Sequence, residues 1–195
     1  MNDPTAVLIL AAGASTRLGH PKQLVQFRGK PLLAHAIEAA TAADLGPIWV
    51  VLGAHAAEIR PVVSRYGVRV VTNRDWATGL AGSIRAGLSA IAPGLCQDLL
   101  LMLCDQPCLE PDHLISLVAA RRACARAIAA SEYNGQRGVP AVFARAIWPE
   151  LLALTGQHGA REVVARDPAR VVALPFAWGA LDVDTAADVA ALAKL

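Results

Sequence analysis

Apolar residues along this chain fall into two alternating patterns, short continuous runs and longer stretches in which they recur at helical spacing. Continuous runs of roughly four to eight apolar residues are typical of strands buried on both faces of a parallel sheet. Such runs predict strands at residues 7–12, 48–52, 68–71, 98–103, 127–131 and 171–174. A further strand, with an antiparallel direction as an open alternative, is predicted at residues 139–143.

The stretches between these runs predict helices. Pro31 suits the first turn of one helix, because proline lacks the N–H that a helix leaves unpaired there, and Leu33, Ile37 and Ala40 then share one face. Further helices are predicted around residues 59–63, 84–91, 111–118, 147–154 and 185–195, with polar, turn-rich loops at 73–83 and 133–140.

The alternation of strands and helices predicts the fold class. Helices that connect parallel strands cover both faces of a sheet, so we expect an α/β, Rossmann-like three-layer sandwich with a mostly parallel sheet. No internal repeat or linker interrupts the pattern, and residues 1–195 are expected to form a single domain.

Composition narrows the class of protein. The chain is 55% hydrophobic and 17% charged, which argues against disorder. Its net charge of +2 and its scattered basic residues give no support for nucleic-acid or membrane-surface binding. No run reaches the roughly 18 apolar residues of a membrane span. Asp3 and Pro4, rather than a basic segment, precede the first apolar run, so we expect no secretory signal and a cytoplasmic protein.

The four cysteines form no CxxC pair. Cys104 and Cys108 flank an aspartate, and a zinc pair is one interpretation of them. The position of Cys104 at the end of an apolar strand favours burial in the core instead.

The loop after the first strand is the strongest candidate for a ligand site. Gly13 opens a turn of small residues that can expose backbone N–H groups to phosphates, and Arg17 and Lys22 add positive charge. Five residues separate Gly13 from Gly19, so the loop is neither a Walker A sequence nor a GxGxxG dinucleotide fingerprint. An ordinary strand-to-helix turn with solvated cations is the equal alternative.

Three aspartates stand out by their positions, and Asp105 is the candidate for holding Mg²⁺. Asp105 follows the apolar run at 98–103, and ligands of open parallel sheets bind beyond the carboxyl ends of strands. Mg²⁺ takes one or two carboxylates together with phosphate oxygens; the alternative for Asp105 is a turn cap. Asp182 and Asp184 alternate on an extended segment and share a face. Thr185 and Asp188 have capping-box spacing, although Asp184 is an alternative N-cap.

The remaining polar candidates have less specific patterns. Ser83 is interpreted either as the N-cap of the helix at 84–91 or as a hydrogen-bonding partner for a base. Arg85, Arg137 and Arg161 are interpreted as solvated charges. The five histidines do not cluster, and no Ser/His/Asp arrangement is legible from the spacing.

Taken together, the motifs resemble a known family. The first loop resembles the signature loop of nucleotidyltransferases with a GT-A-like Rossmann fold. The combination of further pieces resembles the molybdenum cofactor cytidylyltransferases over nearly the whole chain. Those pieces are Gly79-Leu80-Ala81-Gly82-Ser83, Cys104-Asp105-Gln106-Pro107, Gly138-Val139-Pro140, Gly159-Ala160-Arg161 and Leu181-Asp182-Val183-Asp184-Thr185.

The resemblance implies a role for each matching residue. Arg17, Lys22 and Asp105 would be catalytic, and Mg²⁺ would be held by Asp105 with Asp182 or Asp184. The nucleotide would be bound by Leu10, Ala11, Ala12, Gly13, Arg17, Lys22, Gly79, Ser83 and Asp105. Sister guanylyltransferases carry Leu-Ala-Gly-Gly where this chain has Leu10-Ala11-Ala12-Gly13, which implies CTP rather than GTP.

The resemblance also implies the reaction and its partners. CMP would pass from CTP to molybdenum-molybdopterin, giving the cytosine dinucleotide and pyrophosphate, and the product would serve a molybdenum hydroxylase or its chaperone. The alternatives are transfer with GTP or to a sugar phosphate, and a non-catalytic pterin-cofactor chaperone. Two departures from the family pattern are Gln157, where an aspartate is frequent, and Ala186-Ala187, where Pro-Glu is frequent.

Overall fold

The computed structural model describes residues 4–195. Asp3, one of the residues that argued against a secretory signal, lies outside them. A seven-stranded sheet has the strand order β5-β4-β1-β6-β8-β7-β9, and β2 and β3 form a separate two-stranded ribbon. The strands are β1 (Thr5–Ala11), β2 (Gln26–Phe27), β3 (Lys30–Pro31), β4 (Ile48–Leu52), β5 (Arg69–Thr72), β6 (Asp98–Leu103), β7 (Ile128–Tyr133), β8 (Gln136–Ala144) and β9 (Val171–Pro175).

The sheet is parallel except at one strand. β1 pairs in parallel with β4 and with β6, β4 with β5, and β7 with β9, whereas β8 is antiparallel to both β6 and β7. The predicted α/β class with a mostly parallel sheet is confirmed, and so is the antiparallel direction of the strand around residues 139–143.

Helices cover both faces of this sheet. They are α1 (Leu32–Ala43), α2 (Ala56–Val63), α3 (Leu80–Ser89), α4 (Pro111–Ala123), α5 (Trp148–Leu152), α6 (Ala160–Arg166) and α7 (Ala186–Leu192). Within residues 4–195, no helix is both long enough and apolar enough to cross a membrane.

The two cores follow from the alternation of side chains along β1. Leu8 and Leu10 point into the core shared with α3, α5 and α6, while Val7 and Ile9 point into the core shared with α1, α2 and α4. A strand that is buried on both faces needs apolar residues at every position, which is why β1 reads as a continuous apolar run. Cys104 is buried in the second core, as its strand-end position predicted.

Two predicted loops are partly wrong. The segment at 133–140 is a tight hairpin, in which Asn134 and Gly135 both take positive φ between β7 and β8. Both central residues of the favoured two-residue hairpin turn need positive φ, and Asn-Gly supplies this. The segment at 73–83 contains a short 3₁₀ turn (Trp76–Thr78) and the first turn of α3, which begins at Leu80.

Candidate active site

A cavity of about 550 Å³ opens at the carboxyl ends of β1 and β6. Every residue predicted to bind nucleotide or metal lines this cavity: Leu10, Ala11, Ala12, Gly13, Arg17, Lys22, Gly79, Ser83, Asp105, Asp182 and Asp184. Its place beyond the ends of parallel strands is the usual ligand position in open α/β sheets.

The loop after β1 is folded back on itself by its own backbone. Ser15 has a φ of 54°, and its carbonyl oxygen accepts hydrogen bonds from the N–H groups of Leu18 and Gly19, both at 3.0 Å. The Ser15 hydroxyl accepts a third bond, from the N–H of Lys22 at 3.0 Å. These bonds bring Lys22 back over the end of β1, although many residues separate Lys22 from that strand in the sequence.

Gln23 holds the base of this loop and was not singled out in the sequence. Its side chain is fully buried, and its Nε2 donates to the carbonyl oxygens of Ala11 at 2.9 Å and Gly13 at 3.0 Å. A buried carbonyl without a donor is costly, and Gln23 supplies a donor to the carbonyl of Ala11 at the end of β1. A glutamine next to the apolar Leu24 and Val25 was the only sequence signal of burial.

Asp182 and Asp184 reach the cavity because the residue between them is anchored in a core. Val183 is fully buried in a small cluster with Val25, Phe27, Leu32 and Leu192. The N–H of Val183 donates to the carbonyl oxygen of Asp105 at 3.2 Å, which joins this segment to the end of β6. In an extended segment the neighbours of a buried residue point the other way, so both aspartates face the cavity.

The predicted capping box at the start of α7 is confirmed. The Thr185 hydroxyl accepts from the N–H of Asp188 at 3.3 Å, and the Asp188 carboxylate accepts from the N–H of Thr185 at 2.7 Å. Thr185 is therefore the N-cap, and the alternative that Asp184 caps the helix is wrong. The Asp184 carboxylate is left for other partners.

Lys22 lies between two of the three carboxylates. Its Nζ is 2.5 Å from Asp105 Oδ2 and 2.7 Å from Asp184 Oδ1, and Arg17 Nη2 is 2.7 Å from Asp184 Oδ2. Burial lowers the pKa of Lys22, but the charge of Asp105 and the hydrogen bonds to both carboxylates outweigh burial and raise the pKa above its ordinary value.

The aspartates of the site differ in their surroundings. Partial burial opposes ionisation of Asp184, yet Lys22 and Arg17 hold its pKa below the ordinary value. Partial burial and the neighbouring charge of Asp105 raise the pKa of Asp182. Asp105 Oδ1 is buried and has no hydrogen-bond partner among residues 4–195. Arg17 and Lys22 thus leave one of the three carboxylate charges unbalanced, and Asp105 Oδ1 and Asp182 are the parts of the cluster that neither cation pairs with.

This charge distribution fits a cation completed by a ligand. The part of the chain that the structure describes contains no group of three His, Cys, Asp or Glu side chains arranged to hold a metal alone. Mg²⁺ and similar ions do not need such a group, since they combine one or two carboxylates with phosphate oxygens and water.

The opposite wall of the cavity is built by the turn before α3. Asn73 and Ser83 are both buried, and Asn73 Nδ2 donates to Ser83 Oγ at 3.1 Å. The Trp76 side chain lines the cavity and remains partly exposed. The interpretation of Ser83 as an N-cap is wrong, because the N-cap of α3 is Gly79 and Ser83 lies within the helix.

Gly79 has a steric reason to be glycine. It has a φ of 115°, and a Cβ built there would be 2.2 Å from the carbonyl oxygen of Gly156. The N–H of Ala81 donates to the same oxygen at 3.2 Å, so the loop carrying Gln157 packs directly against the start of α3. Gln157 lines the cavity where the resembling family often has an aspartate.

The three arginines interpreted as solvated charges do not line the cavity. Arg161 is exposed, and Arg137 makes a loose pair with Glu132 at 3.4 Å. Arg85 differs from the prediction, because it is half-buried and donates to the carbonyl oxygen of Leu154 at 2.5 Å, joining α3 to the end of α5.

Known proteins share this sequence pattern and fold. Residues 7–171 match the family model described as the MobA-like NTP transferase domain. Nicotine blue oxidoreductase from Paenarthrobacter nicotinovorans is 30% identical over 170 residues, which are 83% of this chain and 81% of that protein.

Solved structures agree over nearly the full length. The crystal structure of Rv0371c from Mycobacterium tuberculosis H37Rv superposes with a TM-score of 0.83 at 31% identity, covering 98% of this chain and 99% of that one. A structure of Rv0371C in complex with manganese superposes with a TM-score of 0.82 at 30% identity, covering 98% of each chain. The chain belongs to the MobA-like NTP transferase family and is a nucleotidyltransferase of that type.

Proposed function

We propose that this nucleotidyltransferase transfers CMP from CTP to a molybdopterin-type acceptor and releases pyrophosphate. The observation that carries the proposal is the cluster of Lys22, Arg17 and Asp105 at one end of the sheet, with one carboxylate oxygen of Asp105 buried and unpaired. Such a cluster can neutralise a triphosphate and position it for attack.

Asp105 and Asp182 are the residues that would hold a divalent metal ion. Asp105 Oδ1 and Asp182 pair with neither cation, whereas both oxygens of Asp184 are already paired with Lys22 and Arg17. The manganese complex of a relative about 30% identical supports divalent metal use in this fold, and Mg²⁺ is the ion that we propose for this chain. When bound, the metal would supply charge neutralisation and orientation at the phosphates.

Lys22 and Arg17 would change partners when the triphosphate binds. Arg17 has a largely exposed side chain, 70% by area, so it can turn from Asp184 towards phosphate oxygens at little cost. Asp184 then serves to hold the two cations in place before substrate arrives. The terminal phosphate of the acceptor is already an anion, so in-line attack on the α-phosphorus needs no strong general base from the protein.

The strand-end loop offers room for the nucleotide. A Cβ built at Gly13 would meet no protein atom within 4 Å, and its φ is not positive. The fold itself therefore does not require glycine there, which is expected where a ligand approaches the backbone closely. Ala12, which stands where guanylyltransferases have a second glycine, supports cytosine as the base, as does the Ser83 hydroxyl on the opposite wall.

Three other functions are kept as alternatives. The name of the Paenarthrobacter relative supports an oxidoreductase activity on nicotine blue, although the loop after β1 lacks the GxGxxG pattern of dinucleotide sites. A non-catalytic pterin chaperone would have no use for the cation and carboxylate cluster. GTP-dependent or sugar-phosphate transfer would use the same cluster with a different base or acceptor.

A pyrophosphate-release assay separates these functions. Purified protein with Mg²⁺ is offered CTP, GTP, UTP or ATP, each with molybdopterin, with a sugar phosphate, or with no acceptor. The proposal predicts release with CTP and molybdopterin at a rate well above every other pair. Pyrophosphate release that occurs only when GTP is the nucleotide, or only when a sugar phosphate is the acceptor, would overturn it. A change in the oxidation state of nicotine blue, in place of any pyrophosphate release, would establish the redox function.

A further inference from the structure

The Asn73 side chain links the end of β5 to the cavity wall. Asn73 follows β5 directly, and its backbone N–H donates to the carbonyl oxygen of Leu52 at 2.8 Å. Its side chain is buried, with 6% of the residue exposed, and spans between the backbone of Asp75 and the hydroxyl of Ser83. Ser83 lines the cavity, whereas Asn73 does not.

The hydrogen bonds of Asn73 fix which end of its amide faces Ser83. The N–H of Asp75 lies 3.0 Å from Oδ1, and a backbone N–H can only donate, so this atom is the amide oxygen. The NH₂ group must then face Ser83, and Nδ2 donates to Ser83 Oγ at 3.1 Å. The amide cannot flip without placing two donors against each other.

This arrangement sets the direction of the Ser83 hydroxyl. A hydroxyl has one hydrogen to donate and two lone pairs, and Asn73 uses one lone pair. Since the amide NH₂ cannot accept, the hydroxyl hydrogen must point elsewhere. Within residues 4–195 the hydroxyl makes no other hydrogen bond, including none to the carbonyl oxygen of Gly79 one turn earlier. The cavity is therefore where this hydrogen finds an acceptor.

We infer that Asn73 is a positioning residue that makes Ser83 a hydrogen-bond donor to the nucleobase and so favours bases with an acceptor edge. Cytosine presents two adjacent acceptors, N3 and O2, whereas the corresponding edge of guanine presents the donors N1–H and N2–H₂. The inference rests on the proposed function, because it deepens the choice of CTP at the same site.

The substitution Asn73→Asp can reverse the direction of the Ser83 hydroxyl and still keep the hydrogen bond to the N–H of Asp75. In Asn73→Asp, one carboxylate oxygen still accepts from the N–H of Asp75, while the other accepts from Ser83. An ionised acceptor attracts the hydroxyl hydrogen strongly, so Ser83 would present a lone pair to the base. Asn73→Ala removes the constraint and leaves the hydroxyl free to turn either way.

The test measures dissociation constants of CTP and GTP by calorimetry at pH 8, where the introduced carboxylate is ionised. Wild type, Asn73→Ala and Asn73→Asp are compared in the native background and in Ser83→Ala, and melting temperatures show that each variant is folded. The ratio of CTP to GTP affinity is the readout. If Asn73 had a purely structural role, or if the added charge acted generally, the affinities for CTP and GTP would fall by the same factor.

The inference predicts that the ratio of CTP to GTP affinity is highest in wild type, lower in Asn73→Ala and lowest in Asn73→Asp. In Asn73→Asp this ratio should fall by about tenfold or more relative to wild type. In the Ser83→Ala background the residue at position 73 should no longer change the ratio. An unchanged ratio in Asn73→Asp, or an equal change with and without Ser83, would overturn the inference. A wild type that binds CTP no better than GTP would instead contradict the proposed CTP specificity.

Discussion

The Nζ of Lys22 lies 2.5 Å from Oδ2 of Asp105, and the two residues are 83 positions apart in sequence. Only 18% of the Lys22 side chain and 6% of the Asp105 side chain are exposed. A buried carboxylate requires a compensating cation, and here the lysine supplies it. Lys22 thus holds Asp105 and Asp184 together at the end of the sheet.

Replacing Lys22 by Met should destabilise the protein and make its stability depend on metal. Loss of the ammonium leaves Asp105 buried without a partner, a change that costs about 3 kcal/mol in comparable pairs. For a chain of this size the melting temperature should fall by roughly 6–12 °C. Added Mn²⁺ should restore much of the loss in the variant, while wild type without nucleotide should respond little.

The matched control for this experiment is Lys30→Met. Lys30 pairs with Glu38 at 2.7 Å, but 52% of its side chain is exposed, and exposed pairs contribute little. Its melting temperature should stay near that of wild type with and without Mn²⁺. If Mn²⁺ fails to stabilise Lys22→Met, the assignment of a metal to Asp105 and Asp182 is wrong.

Replacing Asp105 by Asn should abolish most of the activity while preserving the shape of the side chain. The neutral amide cannot supply the charge that a divalent metal requires, and we expect pyrophosphate release to fall by about 100-fold or more. Asp112→Asn, at an exposed position in the first turn of α4, is the matched control and should retain full activity. Near-normal turnover of Asp105→Asn or Asp105→Ala would contradict the catalytic role of Asp105.

Replacing Gln23 by Leu should loosen the loop that carries Arg17 and Lys22. The substitution leaves the carbonyl oxygens of Ala11 and Gly13 without their donor, which costs about 1–3 kcal/mol of stability. We expect a lower melting temperature and a raised KM for the nucleotide. Gln26→Leu changes an exposed glutamine of the same segment and should leave KM unaltered. Equal KM values for the two variants would show that Gln23 does not order the loop.

Acidification should weaken the fold through His113. This residue stacks on Phe176 at 4.5 Å between ring centroids, and burial lowers its pKa below the ordinary 6.5. As the pH falls, the histidine of the unfolded chain therefore binds a proton before that of the folded protein does. The contribution of His113 to the free energy of unfolding is fully present above pH 6.5. It declines as the pH falls from there towards the folded pKa.

Chemical denaturation between pH 7.5 and about 5 measures this dependence. His113→Phe should show a shallower slope of unfolding free energy against pH, whatever its absolute stability, because the titrating group is gone. His20→Gln, a change at an exposed histidine, should keep the wild-type slope. A slope that is identical in all three proteins would contradict the role of His113.

Much of the fold could be predicted from the sequence because the central parallel strands β1, β4 and β6 are buried on both faces. β4 and β6 were predicted with the boundaries that the structure has, since Pro47 and Gly53 flank the first apolar run, and Asp98 begins the second, which ends shortly before Asp105. The hairpin at 133–140 was not predicted, because polar residues in such a stretch are typical of a loop. Asn134-Gly135 is nevertheless a strong hairpin signal.

The site was predictable only in part, for a different physical reason. Lys22, Asp105 and Asp184 are charged residues at strand or loop ends, and those positions could be recognised from spacing and resemblance. Gln23 and Asn73 are uncharged amides whose partners are a backbone carbonyl and a distant hydroxyl. No periodicity or charge pattern marks such a residue, so their roles required the structure.

The most direct test of the central claim is to follow the fate of the α-phosphate of CTP. CTP labelled at that phosphate is incubated with Mg²⁺, molybdopterin and the wild-type protein, and the products are identified by mass spectrometry. The account predicts a pterin product heavier by one cytidylyl group, formed together with one equivalent of pyrophosphate and lost in Asp105→Asn. Label that remains in CTP, or a nucleotidylated pterin that forms only when GTP replaces CTP, would contradict it.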